Sequence, residues 1–160
     1  MFQNNTYIEK IKLINTNNIT SMDSVCVGAY NLKEFNIDEI PNCSSFYMSF
    51  KGCSSLETLE VKGVIKLGLT LLETFFGCSK LADIPNFDAS AVKNMDYAFH
   101  GCPSLSDDSL NKIMGMCISA TNYTSNKTLA KLGLTQEQAT KCQSLLNYDA
   151  FIASGWTTGY

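Results

Sequence analysis

The run F-x-G-C-x-x-L returns three times at almost constant spacing, and a fixed period constrains a fold more than any single motif. The copies run from Phe50 to Leu56, Phe75 to Leu81 and Phe99 to Leu105. Cys53 to Cys78 is 25 residues and Cys78 to Cys102 is 24. A period of this size marks a chain built from repeated supersecondary units that share a core, because one such unit cannot bury its apolar face alone.

The register extends towards the N-terminus. Stepping back by 24 from Gly52 and Leu56 reaches Gly28 and Leu32, and a further 24 from Leu32 reaches Ile8. Apolar segments then align: Ile8-x-x-Ile11-x-Leu13, Leu32-x-x-Phe35-x-Ile37, Leu56-x-x-Leu59-x-Val61, Leu81-x-x-Ile84-x-x-Phe87 and a degenerate Leu105. The L-x-x-L-x-L core is a leucine-rich-repeat pattern. Its last three residues alternate, which predicts a strand with Leu59 and Val61 inward and Glu60 outward. A second apolar pair precedes each glycine: Met22/Cys26, Phe46/Phe50, Leu71/Phe75 and Met95/Phe99. A spacing of four predicts one helical or 3₁₀ turn per repeat. The expected fold is therefore an α/β repeat: a short leucine-rich-repeat solenoid of about five coils of ~24 residues over 1–105, with a helical C-terminal cap over 106–160 packed on it.

The periodicity changes at Ser106. Leu110, Ile113, Met114 and Cys117 form an i, i+3, i+4, i+7 stripe, and Ser106, Asp107 and Asp108 suit the N-terminus of that helix. A second helix is expected from near Thr128 to Gly133. A third follows Thr135, where Thr135-Gln136-Glu137-Gln138 fits a capping box, with Ala139, Cys142 and Leu145 facing inward. A last short helix spans 148–154 and stops at Gly155.

Composition narrows the function. All 12 basic residues are lysine, the net charge is −3, and the lysines form no stripe. Bidentate readout of phosphate or guanine prefers arginine, so no nucleic-acid partner is expected. No apolar run approaches the ~20 residues of a membrane helix, so no membrane insertion is expected. The first residues lack the basic and apolar regions of a secretory signal, so none is expected there.

The seven cysteines are read as reduced core residues: Cys53, Cys78 and Cys102 occupy one repeat position and should stack as small buried thiols. No C-x-x-C pair or zinc-finger spacing is present, so no metal is expected. The single histidine, His100, sits where sister repeats carry Lys51 and Phe76, and reads as a surface residue on a turn. Its neighbour Cys102 could in principle serve as a nucleophile, but the repeat position explains it as core. No nucleophile elbow, phosphate loop or dinucleotide fingerprint occurs, so no catalytic residues and no cofactor are expected.

The F-x-G-C-S-S-L runs resemble the BspA-like leucine-rich repeats of gut anaerobes and their prophages and phages. The matching stretches are Met48 to Leu59, Thr74 to Phe87 and Val92 to Leu105, and Ile84 to Met95 is similar to the linker that recurs in that family. The tail through Leu132-Gly133-Leu134-Thr135 and Gly155-Trp156-Thr157-Thr158-Gly159-Tyr160 resembles a terminal module found on such proteins. The resemblance implies surface adhesins or phage structural and host-binding proteins, and supplies no catalytic residues. The expected function is a non-enzymatic module that binds a protein or glycan surface. Its contact residues are expected at the outward positions Lys33, Glu34, Glu57, Glu60 and Lys62, and at an aromatic platform of Trp156 and Tyr160 unless Trp156 instead closes the core of the cap, as aromatic burial favours. The competing expectations are a self-associating virion subunit, hence a homo-oligomer, and an intracellular inhibitor of a bacterial host protein.

Overall fold

A computed structural model describes all 160 residues. Five short strands and four short helices follow one another along the chain. The strands are β1 (Lys10–Leu13), β2 (Glu34–Ile37), β3 (Thr58–Val61), β4 (Ile65–Lys66) and β5 (Phe87–Asp88). The helices are α1 (Asp107–Ser119), α2 (Leu129–Leu132), α3 (Gln136–Cys142) and α4 (Tyr148–Ala153).

The expected solenoid of five coils is not what forms. The strands fall into two separate parallel sheets, β1-β2-β3 and β4-β5. The first sheet keeps the repeat register: Lys10 pairs with Glu34 and Glu34 with Thr58, each 24 residues on. It breaks at the fourth segment, where a lone bridge joins Thr58 to Asp83. Two residues further on stands Pro85, which has no N–H to give to a ladder. The chain pairs again only at Phe87–Asp88, and there with β4, which follows Gly63 at φ +83°. At the fifth segment α1 takes the place of a strand: Ser106 N–H donates to the Ala82 carbonyl at 2.9 Å, and Ser109 Oγ accepts from Ile84 N–H at 3.0 Å.

The expected helical turn within each repeat is also corrected. Between the paired apolar residues lie Ser24, Met48, Glu73 and Tyr97, all with φ between 52° and 54°. A left-handed residue interrupts any helix. It also frees alternate N–H groups to bond the following repeat. Met48, Phe50 and Gly52 donate to the carbonyls of Leu72, Thr74 and Phe76 at 3.1, 2.9 and 2.7 Å. Leu71, Glu73, Phe75 and Gly77 donate onward to Asn94, Asp96, Ala98 and His100. The glycine ending each turn stacks on the last: a Cβ on Gly101, at φ +74°, would meet Gly77 Cα at 3.3 Å. Only glycine combines that backbone with that approach at no cost.

One continuous core runs through repeats and helices. Its centre is a column of rings. Phe50 and Phe75 stack at 5.7 Å, Phe75 and Phe99 at 5.6 Å, and Phe35 meets Phe50 edge-on at 5.0 Å. The thiols form a second column. Cys53, Cys78 and Cys102 are buried and free, and each Sγ donates to a carbonyl of the preceding repeat, those of Cys26, Phe50 and Phe75, at 3.0, 3.1 and 3.0 Å.

The helical part follows its local signals. Ser106 caps α1, whose Leu110, Ile113, Met114 and Cys117 are buried. Thr128 caps α2 and Gly133 ends it at φ +92°. Thr135 and Gln138 form the capping box of α3. Asp96 ties this part to the repeats: its carboxylate accepts from Tyr123 Oη at 2.7 Å and pairs with Lys131 at 3.2 Å. Removing that hydroxyl with Tyr123→Phe leaves a partly buried charge short of a donor. The expected loss is about 1–2 kcal/mol of stability, read as a lower urea midpoint with an unchanged slope.

Candidate functional site

The outer face of β1-β2-β3 is built by alternation. Ile11, Phe35 and Leu59 point into the core and are buried. The residues on either side of them point outward and form two rungs across the sheet: Lys10, Glu34 and Thr58, then Lys12, Asn36 and Glu60. Asp38 and Lys62 continue the pattern beyond the strand ends. The Asp38 N–H donates to the Leu13 carbonyl at 3.2 Å, which holds this extension in register. A recess of about 350 Å³ lies across the strand ends. Lys12, Asn36, Asp38, Glu60 and Lys62 line it, together with Leu13, Ile37 and Val61. Two further recesses adjoin it, and Lys62 lines all three.

The charges on this face divide into paired and unpaired. Lys10 pairs with Glu34 at 2.7 Å and Lys62 with Asp38 at 2.9 Å. In each case the hydrogen bond to the carboxylate, and then its charge, pushes the ammonium above its ordinary value. Lys12 and Glu60, on the rung between these pairs, join no ion pair; each of the other ions named on this face does. Between them stands Asn36, whose Oδ1 is shielded from water and has no hydrogen-bond partner.

The structure separates the residues expected to make contact. Glu60 and Lys62 are exposed and line the recess. Glu34 is half-buried and held by Lys10. Lys33 and Glu57 precede their strands and are engaged by Glu9 at 3.0 Å and Lys80 at 3.7 Å. Trp156 is corrected: it is only 1% exposed, with Tyr123 stacked on it at 5.0 Å and Phe151 at 6.0 Å, so it presents no ring face to a partner. Aromatic area of that size is drawn into the core formed by the helices. Tyr160 is 61% exposed, but its hydroxyl donates to the Leu134 carbonyl and it lies outside the recess.

Lys12, Asn36 and Asp38 were absent from the expected set. The register alone could have found them, since Lys12 plus 24 is Asn36 and plus 48 is Glu60. What a sequence does not carry is which charges are spent on in-chain pairs.

The remaining candidates are structural. His100 is exposed and stacks on Phe76 at 4.7 Å, with the Lys51 ammonium 5.0 Å from that ring. Cys102, two residues away, points inward, and burial pushes its thiol up to about 12. A protonated thiol that donates to a carbonyl is not an activated nucleophile. No three His, Cys, Asp or Glu side chains gather closely enough to hold a metal ion. No helix is long and apolar enough to cross a membrane.

No curated protein and no solved structure matches the chain. One family model does, over residues 1–112 and again over 69–127. The first match covers well over half of the 160 residues, so the chain belongs to the family described as "Mycoplasma protein of unknown function, DUF285".

Proposed function

We propose that this protein is a non-enzymatic binding module that engages the surface of another protein through the outer face of β1-β2-β3. The observation that carries the reading is the rung Lys12, Asn36, Glu60. It holds an ammonium and a carboxylate left unpaired over a recess, next to rungs whose charges are paired within the chain. Charged groups without in-chain partners give orientation and selectivity to an interface. A protein surface suits the face better than a glycan, because no aromatic ring lines the recess to stack on a sugar.

The test is capture of partners from envelope and cytosolic lysates by tagged protein. Lys12→Glu and Glu60→Lys are each expected to reduce capture at least tenfold, with less than about 0.5 kcal/mol change in stability, since both side chains are exposed. Undiminished capture by both variants would remove this face from the reading.

Self-association is a second reading. It is favoured by β1, which pairs with a strand on one side only. Its outward Lys10 and Lys12 are the kind of residue that discourages edge-to-edge pairing. Light scattering at high concentration decides: a monomer there counts against it.

A further inference from the structure

We propose that the recess takes a linear peptide segment of the partner laid across the three strands, with an acidic side chain at Lys12 and a basic side chain at Glu60. This rests on the reading of the sheet face as a protein-binding surface and specifies its ligand.

The charge balance of the recess supports a mixed-charge ligand. Its ionisable lining is Lys12, Lys62, Asp38 and Glu60, two of each sign. A wholly acidic or wholly basic ligand meets as much repulsion as attraction there. Lys62 and Asp38 already hold each other at 2.9 Å. The two groups left to recognise a ligand are therefore of opposite sign and stand at opposite ends of one rung.

Geometry sets the spacing. Lys12 and Glu60 lie on the two outer strands of the sheet, so their backbones are about 9.6 Å apart at ~4.8 Å per strand. Side chains two apart on an extended peptide share one face about 6.7 Å apart. The Lys12 and Glu60 side chains are long enough to lean inward over the difference. Midway sits the Asn36 amide, whose Oδ1 is enclosed by the protein. The Asn36 Nδ2 can donate to a main-chain carbonyl of a crossing segment. A peptide supplies such a carbonyl at every residue, which favours it over a ligand with charges alone.

The experiment is a titration of ¹⁵N-labelled protein with four acetylated, amidated peptides that share a serine-flanked core: Glu-Gly-Lys, Glu-Gly-Glu, Lys-Gly-Lys and Gln-Gly-Gln. The Glu-Gly-Lys peptide is expected to shift the Asn36 side-chain amide and the Lys12 and Glu60 amides. The other three should bind about tenfold more weakly. Lys12→Glu should transfer the preference to Lys-Gly-Lys, and Glu60→Lys to Glu-Gly-Glu, in variants whose spectra remain those of the folded protein. Equal response to all four peptides, no response to any, or an unchanged preference in the variants overturns the proposal. If the peptides fail while Lys12→Glu still abolishes capture of a whole protein, the peptide is wrong and the face stands. If capture also survives, both fall.

Discussion

Raising the pH from about 8 to about 11 is expected to unfold this protein in one steep step. The cause is the cysteine content. All seven thiols are buried and free. Burial pushes Cys26, Cys53 and Cys102 up to about 12 and Cys142 to about 11, and holds Cys78 and Cys117 well above the ordinary range. Cys43 is raised as well, again mainly by burial. In each case the folded pKa lies above the unfolded one, near 8.5. The contribution of each thiol is therefore fully present below that unfolded value and is lost as pH rises towards the folded one. Between pH ~9 and ~11 each of the six thiols other than Cys43 costs up to about 1.4 kcal/mol per pH unit, so together they cost up to about 8 kcal/mol per unit. That is comparable with the whole stability of a typical domain, about 5–15 kcal/mol. Tyr123, raised by burial and then by its bond to Asp96, acts in the same direction.

Circular dichroism against pH in the presence of reductant checks this. The expected midpoint lies between pH about 10 and 11, and Cys78→Ala should make the transition shallower by about one proton. A native signal at pH ~11.5 would contradict the buried, protonated thiol column.

Phe75→Ala is expected to cost about 3–5 kcal/mol and to leave the protein marginal or unfolded at 37 °C. Phe75 is fully buried, stacked between Phe50 and Phe99 and tilted against Phe87 at 6.2 Å. Its neighbour Phe76 provides the control. That ring is half-buried and carries Lys51 on one side and His100 beside it. Phe76→Ala should cost about 1 kcal/mol. Urea unfolding of the two variants separates them. Equal losses would mean that the ring column is not what holds successive repeats together.

The contrast between those two rings was legible in the sequence. The repeat assigns Phe75 to the position of Phe50 and Phe99, and Phe76 to the variable position of Lys51 and His100. Helix ends were equally legible, because Ser106, Thr128, Thr135 and Gly133 act through their own backbone neighbours. The architecture was less so. Periodicity predicted five like coils, but a period shows that segments are equivalent and not that each ladder continues. Pro85 stops the first sheet, and α1 occupies the place of a fifth strand. The left-handed residues were hidden because Met48, Glu73 and Tyr97 are not residue types that announce positive φ. At the candidate site, alternation identified Glu60 as outward. The pairing of Lys10, Lys33, Glu57 and Lys62 depends on side chains brought together from different repeats, which a linear reading does not resolve. Trp156 was left between closing the core and presenting a platform, because its burial depends on Tyr123 and Phe151 meeting it.

The claim that the sheet face is where this protein meets its partner is tested most directly by placing a photo-crosslinking residue at Asn36 and, separately, at Lys93, which is exposed and outside the sheet. After irradiation in lysate, a discrete adduct is expected from position 36, lost when Lys12→Glu is added, and none from position 93. An adduct from position 93 with none from position 36 would place the binding surface elsewhere on the molecule.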